Sequence, residues 1–358
     1  MPLPSCLATA LVTATLVLTW ATPAVATGAI GGPGLDATGV VVAPTSPDLP
    51  DVAATSWLVA DLDTAEVLAA KDPHGRYAPA STLKMLTAVT LLPVLDGNRT
   101  IVPTFDDVKV EGSKVGLVER VSYPAHELFA ALLMVSGNDA ANALATAAGG
   151  QEATAALMND KARDLGALDT RAVNPHGLDA DGQVSSAYDL ALIARAGLAD
   201  ADFARYVSTR RSSVSAPPGS PRIEIFNKNK LLGDYEGALG VKNGFTNAAR
   251  ASFVGAAERD GRRLVVTLMK AEPKIFDEAE KLLDWGFAAR AALPVGILVP
   301  ASGGPAEAVA GVGAAAAAPV DEGASLPVML AGMGLAAAAM FVVRHRPAPA
   351  PPPARRRR

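Results

Sequence analysis

The stretch Pro79-Ala80-Ser81-Thr82-Leu83-Lys84-Met85-Leu86-Thr87-Ala88 carries the reading of this chain. Pro79 breaks any preceding element, and a helix-compatible run follows at once. Ser81 and Lys84 stand three apart, so on a helix they share one face. Ser81 falls in the first turn, where backbone N–H groups lack intrahelical partners. A hydroxyl facing a basic group, with free N–H groups nearby, suits a nucleophile and its oxyanion. The spacing alone is common, and an ordinary serine at a helix start with a solvated lysine also satisfies it.

Upstream, 56–60 and 66–69 read as two short strands around Asp61-Leu62-Asp63-Thr64, a hairpin signal. Downstream, the Ser81 helix runs to about Leu92 and is stopped by Pro93. The middle of the chain is helical. Residues 127–135 place Leu128, Leu132 and Val135 on one face. Ser136-Gly137-Asn138 interrupts, 139–148 resumes, and Gly149-Gly150 stops it. Further helices are expected at 151–165 and 186–196, the second with Leu190, Ile193 and Ala194 inward, separated by the turn Asn174-Pro175-His176-Gly177. After Pro221 the period changes. Segments 238–241, 252–256 and 264–269 read as strands, and 275–287 as a closing helix with Ile275, Ala279, Leu282 and Leu283 inward. Strands on both sides of a helical insertion predict an α/β domain over 51–293 with a helical lobe. A cleft between the lobes is the expected site.

The sequence has 358 residues, enough for one large domain or two small ones. A net charge of −4 gives no pull toward nucleic acid, and Lys and Arg cluster only at the extreme C-terminus. The single cysteine, Cys6, lies in the N-terminal apolar stretch, so a processed protein has no disulfide, cysteine nucleophile or thiolate metal site. His74, His126, His176 and His345 are spaced too widely to suggest a metal site, and no cofactor is expected.

The ends read as targeting segments. Residues 1–26 hold an apolar run and small residues at Ala24 and Ala26, a signal-peptide pattern, with an uncleaved anchor as the alternative. Residues 27–50 and 294–325 are rich in Ala, Gly and Pro and read as linkers. Residues 326–343 carry no charge and reach about 27 Å as a helix, enough to cross a bilayer. Arg344, Arg346 and Arg355 to Arg358 follow, in the basic tail 344–358. This charge bias predicts a cytoplasmic tail and an exported, single-pass protein with its domain outside. A buried core helix is the competing reading of the apolar run.

Two further motifs give the first its weight. Ser136-Gly137-Asn138 lies between two expected helices, and Lys242-Asn243-Gly244 lies on an expected strand. This ordered set, with Asp in the second motif and Thr in the third, marks penicillin-binding proteins and class A β-lactamases. The chain resembles the low-molecular-mass penicillin-binding proteins that are serine-type D-alanyl-D-alanine carboxypeptidases. The likeness spans roughly residues 55–293. It includes Leu133-Met134-Val135-Ser136-Gly137-Asn138-Asp139-Ala140-Ala141-Asn142, Asn174-Pro175-His176-Gly177-Leu178-Asp179 and Gly240-Val241-Lys242-Asn243-Gly244-Phe245-Thr246. The resemblance implies a β-lactamase/transpeptidase-like fold, an antiparallel sheet flanked by helices. It also implies a peptidoglycan stem peptide ending in D-Ala-D-Ala as substrate, and β-lactams as inhibitors.

The chemistry of the residues agrees. No histidine adjoins either serine motif, so Lys84 must act as base, and it must be neutral to do so. A free lysine titrates near 10.4. Burial and a nearby cation both disfavour its charged form. Lys242 supplies that cation and attracts the substrate's terminal carboxylate. Ser136 relays a proton to the leaving amine, and Asn138 hydrogen-bonds the substrate peptide. The N–H of Ser81 and, by resemblance, that of Phe245 form the oxyanion hole beside Gly244. Asn243 departs from the family's usual Thr, a carboxylate-holding position that Thr246 would share. Asp139 and Asn142 are expected to brace the helix, His176 to serve the turn, and Arg250 to meet either a carboxylate or solvent.

A class A β-lactamase is the nearest alternative. It requires a deacylating Glu, usually in Glu-x-x-Leu-Asn, and Glu152, Glu224 and Glu236 all lack Asn four residues on. A D,D-endopeptidase using the same site and a non-catalytic wall-binding module are the others.

Overall fold

The computed structural model describes residues 30–300. In chain order its elements begin with strands β1 (Val40–Val42), β2 (Ser56–Asp61) and β3 (Glu66–Lys71). A 3-10 turn, Ala80–Leu83, leads into α1 (Lys84–Leu91). Then come β4 (Thr100–Ile101), α2 (Phe105–Val108), β5 (Tyr123–Pro124), α3 (Ala125–Met134), α4 (Asn138–Ala147) and α5 (Gln151–Asp164). Helices α6 (Ala187–Ala199) and α7 (Ala201–Ser208) precede the hairpin β6 (Arg211–Val214) and β7 (Ile223–Phe226). The chain closes through α8 (Leu231–Asp234), β8 (Ala238–Thr246), β9 (Arg250–Arg259), β10 (Arg262–Ala271), α9 (Ile275–Ala288) and β11 (Gly296–Ile297).

The main sheet runs β1-β3-β2-β10-β9-β8, with β11 also paired to β3, and every pairing is antiparallel. Successive side chains of a strand face opposite ways. Leu58, Ala60, Val254 and Val265 accordingly join a core shared with α1, α3, α4 and α6. Trp57, Val59, Phe253 and Val266 join a second core capped by Leu282 and Leu283 of α9. Both leucines are fully buried, and each contributes roughly 1.5–3 kcal/mol by leaving water. The central strands β2, β9 and β10 are mostly apolar through their middles because both faces are covered there.

The helical lobe is held by local chemistry. Ser186 accepts from the Asp189 N–H at 3.1 Å and starts α6. Asp200 accepts from the Phe203 N–H at 2.9 Å and starts α7 directly behind it. A capping box between Thr104 and Asp107 starts α2.

Two expectations about the linkers need correction. Val40–Val42 lies within 27–50 yet pairs with Lys71, Ala70 and Ala69, because three β-branched residues meet the open edge of β3. Gly296 and Ile297 lie within 294–325 yet pair with Val67 and Glu66 on the same edge. The folded body therefore extends beyond 51–293 on both sides, and Leu35 and Leu298 are buried in it. Among the described residues no helix is long and apolar enough to cross a membrane. The segments read as leader (1–26), span (326–343) and basic tail (344–358) lie outside the described residues.

Candidate active site

Ser81 sits in the 3-10 turn rather than in the α-helix proper, and Lys84 is the first residue of α1. Several bonds hold that turn. Pro79's carbonyl accepts from the hydroxyls of Thr82 (2.6 Å) and of Ser252 on β9 (2.7 Å). Gly244 on β8 presses against it, and a Cβ there would lie 2.6 Å from the Ser81 nitrogen and 2.8 Å from Ser252 Oγ. Glycine is required at 244 because any side chain would push the strand off the nucleophile. Gly177, at φ +82°, is equally confined, since a Cβ there would run into the Ala80 carbonyl.

Lys84 Nζ is fully buried and surrounded by three oxygens. It stands 3.0 Å from Ser81 Oγ, donates to Asn138 Oδ1 at 2.7 Å and donates to the His176 carbonyl. None of these is a carboxylate. Burial pushes the Lys84 amine well below its ordinary value, and the charges of Lys242 and Lys228 push it the same way, with Asp139 opposing weakly. Desolvation and flanking cations favour the neutral form of a lysine.

The second motif is set by the break between α3 and α4. Ser136 adopts φ +63°, and its Oγ is buried with no hydrogen-bond partner among the described residues. Asn138 is bound on three sides: Oδ1 to Lys84, Nδ2 to the Glu111 carbonyl at 2.6 Å, and its backbone N–H to the Ser113 carbonyl at 2.8 Å. One amide N–H of its two remains for another acceptor. Asp139 braces the neighbouring loop more than its own helix, accepting from the N–H groups of Val115, Gly116 and Leu117 at 2.8–3.0 Å.

On β8, Lys242 is buried and donates to the Asn243 carbonyl at 2.7 Å. Burial, with the Lys228 charge second, pulls its ammonium down to about 7. The Asn243 side chain makes no hydrogen bond among the described residues. Phe245 is 59% exposed on the edge strand. Thr246 differs from expectation. Its hydroxyl donates to Asp179 at 2.6 Å and accepts from the Ala249 N–H at 3.0 Å, so it braces the end of β8 and has no donor left. Arg250 pairs with Glu272 at 3.0 Å.

The turn residue His176 does more than expected, because its carbonyl orients Lys84. Its own ring is pushed down to about 4, by burial and then by Lys84, and stays neutral. Sequence reasoning missed Lys228. Its N–H donates to the Met134 carbonyl at 2.9 Å, and its ammonium donates to Ser113 Oγ at 3.2 Å. Nothing in the local run Asn227-Lys228-Asn229 signals this; the return of the β6–β7 hairpin places it. The loop carbonyls of Glu111 and Ser113 were likewise unreadable. Buried Lys84, Asn138 and Lys242 and partly buried Ser81 are thus brought into one polar cluster, with Lys228 at its exposed rim and Gly244 against Ser81.

Comparison with known proteins bears on the family and the fold. The profile of the family described as Peptidase S11, D-alanyl-D-alanine carboxypeptidase, matches residues 42–273. The chain is 46% identical over 257 residues to the D-alanyl-D-alanine carboxypeptidase DacB2 of Mycobacterium tuberculosis, covering 70% of this chain and 88% of that one. It is 34% identical over 262 residues to DacD of Escherichia coli, covering 68% of this chain and 65% of that one. A crystal structure of a D-alanyl-D-alanine carboxypeptidase from M. tuberculosis superposes with a TM-score of 0.69 at 44% identity, over 72% of this chain and 99% of that one. The Streptomyces K15 DD-transpeptidase superposes with a TM-score of 0.64 at 26% identity, over 68% of this chain and all of that one. The fold is the α/β transpeptidase-like one.

Proposed function

The chain belongs to the serine peptidase family of D-alanyl-D-alanine carboxypeptidases, and on that premise we propose that it removes the terminal D-Ala from peptidoglycan stem pentapeptides. The observation that carries the reading is Lys84, buried without a carboxylate and 3.0 Å from Ser81 Oγ. A neutral amine has two N–H groups and one lone pair. The carbonyl oxygens of Asn138 and His176 take the two N–H groups, which aims the lone pair at the Ser81 hydroxyl. Ser81 gives its proton to Lys84, and Oγ attacks the carbonyl of the penultimate D-Ala. The N–H groups of Ser81 and Phe245 receive the oxyanion, where one such donor is typically worth about 2.7–4 kcal/mol. The C–N bond breaks as Ser136 relays the proton held by Lys84 to the leaving D-Ala amine. Lys84, neutral again, takes a proton from the water that hydrolyses the ester and returns it to Ser81 Oγ as the acid leaves.

Lys242 as ammonium, Asn243 and the remaining Asn138 amide N–H bind the substrate's terminal carboxylate and backbone, with Gly244 giving the peptide access to β8. Bound carboxylate favours the charged form of Lys242, against the burial that lowers it. β-Lactams acylate Ser81 by the same attack. A class A lactamase reading is disfavoured: Glu224 pairs with Arg211 at 2.6 Å, and Glu152 and Glu236 are exposed. Fluorescent penicillin should label the wild type and not Ser81→Ala, and the wild type should release D-Ala from a pentapeptide mimic. A wild type that stays unlabelled refutes the assignment; labelling without D-Ala release refutes the carboxypeptidase reading.

The same reading places the domain outside the cytoplasm, exported by residues 1–26 and held by a single span at 326–343. Its support is the substrate, which lies in the wall, and the apolar run followed by arginines. The full chain should stay with membranes through alkaline carbonate extraction, and truncation after residue 300 should release it. Extraction of the full chain would remove the anchor from this account.

A further inference from the structure

His74 lies in the turn after β3, and both of its ring nitrogens face acceptors. Nδ1 is 2.7 Å from Asp169 Oδ2, and Nε2 is 3.1 Å from the Ile30 carbonyl. A carboxylate and a carbonyl can only accept, and a neutral imidazole has one N–H to give. Only the imidazolium satisfies both. The ring rests against Tyr188, with centroids 4.6 Å apart. The Tyr188 hydroxyl donates to the Ile297 carbonyl and accepts from the Val299 N–H, both at 2.8 Å. The Ile297 N–H in turn donates to the Gly31 carbonyl at 2.7 Å. Gly31, at φ +82°, fits because a Cβ would lie 2.7 Å from the Tyr188 ring and hydroxyl. One histidine and one tyrosine thus grip residues 30–31 on one side and 297–299 on the other.

The charged groups around the ring favour its protonation. Asp169 faces it from the turn after α5, and its backbone carbonyl accepts from Arg76 Nε at 3.3 Å. Asp189 lies behind it on α6, pushed up to about 7 by burial despite the Thr170 hydroxyl. Asp72, in the same turn, is occupied by the Tyr77 hydroxyl at 2.6 Å. Burial opposes a charge on His74, but Asp169 outweighs it and the ring is raised above its ordinary 6.5.

We propose that His74 is a proton-operated clasp on the terminal segments of the folded body. Charged, it ties residue 30 to the body and, through Gly31 and Tyr188, secures 297–299. Neutral, it keeps the stronger charge-assisted bond to Asp169 and gives up Ile30. The sign follows from the raised value in the folded state. The stabilisation is complete below the unfolded histidine value and is lost as pH rises through the folded one. The clasp lies apart from the Ser81 chemistry and needs none of it.

Hydrogen–deuterium exchange of the full chain, corrected for intrinsic rates, tests this. Protection of peptides covering 30–42 and 296–300 should fall about tenfold as His74 titrates, the loss of one charge-assisted bond, while β9 peptides stay unchanged. The titration itself is read from labelled histidine by NMR. His74→Gln should show the lower protection at every pH. Asp169→Asn should move the transition to lower pH, with penicillin acylation unaltered in both variants. Protection that stays constant across the His74 titration overturns the proposal, whether or not His74→Gln folds. So does wild-type protection in His74→Gln.

Discussion

Two sets of buried charges in one folded body are treated in opposite ways. Asp61, at the end of β2, accepts from Arg262 Nε at 2.8 Å and from the N–H groups of Asp63 and Thr64 at 3.0 and 3.1 Å. Burial alone would raise its carboxyl. The Arg262 bond and the two backbone donors outweigh burial and leave it below its ordinary value. Lys84 and Lys242 are at least as buried, touch no carboxylate, and face a third cation in Lys228. The hairpin end spends its charges on holding strands together. The cleft keeps its charges unmatched, which favours the neutral form of Lys84 and, on the proposed function, leaves Lys242 to meet a carboxylate brought by substrate. Perturbation of this kind collects at sites of chemistry.

The largest effect should come from making Lys84 unable to lose its proton. Lys84→Arg keeps a cation where a base is needed, because guanidinium does not deprotonate in proteins. Penicillin acylation should fall by about 10²–10⁴, the usual contribution of a general base. Stopped-flow labelling measures this, and near-normal acylation would erase the contrast between the two regions.

At the other end, Asp61→Asn removes one member of a buried, matched pair. The expected cost is about 3 kcal/mol, a fall in Tm on the order of 6–12 °C by scanning calorimetry. Acylation per folded molecule should be unchanged. The Asp61 stabilisation is present above the unfolded carboxyl value and is lost as pH falls through the lowered folded one, so the Tm gap should narrow in acid.

The subtlest change is Lys228→Ala. It removes a cation that lowers both buried lysines, so both should rise. The acid limb of acylation should then move to higher pH, with a several-fold loss at neutral pH that alkaline pH recovers. A loss equal at all pH values would make Lys228 a structural brace only.

Much of this was readable from local pattern. The strands at 56–60 and 66–69 appear as Ser56–Asp61 and Glu66–Lys71, and the helix expected at 275–287 as Ile275–Ala288. The three motifs were readable because each is a short contiguous run in a predictable context. What stayed hidden depends on distant partners. Val40–Val42 is three residues in a Gly- and Pro-rich stretch, and only the free edge of β3 makes it a strand. The hairpin β6–β7 is polar and short; the buried Glu127 holds it by accepting from the Ser215 N–H at 2.7 Å and pairing with Arg222 at 2.5 Å. Lys228 inherits its place from that hairpin. Helix α7 carried a legible stripe in Phe203, Tyr206 and Val207, but it follows α6 through the single residue Asp200 and was not separated from it.

The bond from Ile297 to Gly31 closes the described polypeptide almost into a ring. A circular permutant that joins these neighbours by a few glycines, and opens instead in the exposed Gly219-Ser220 stretch, should fold with both lobes intact. Penicillin acylation of Ser81 in that permutant should match the wild type, making the site independent of where synthesis starts.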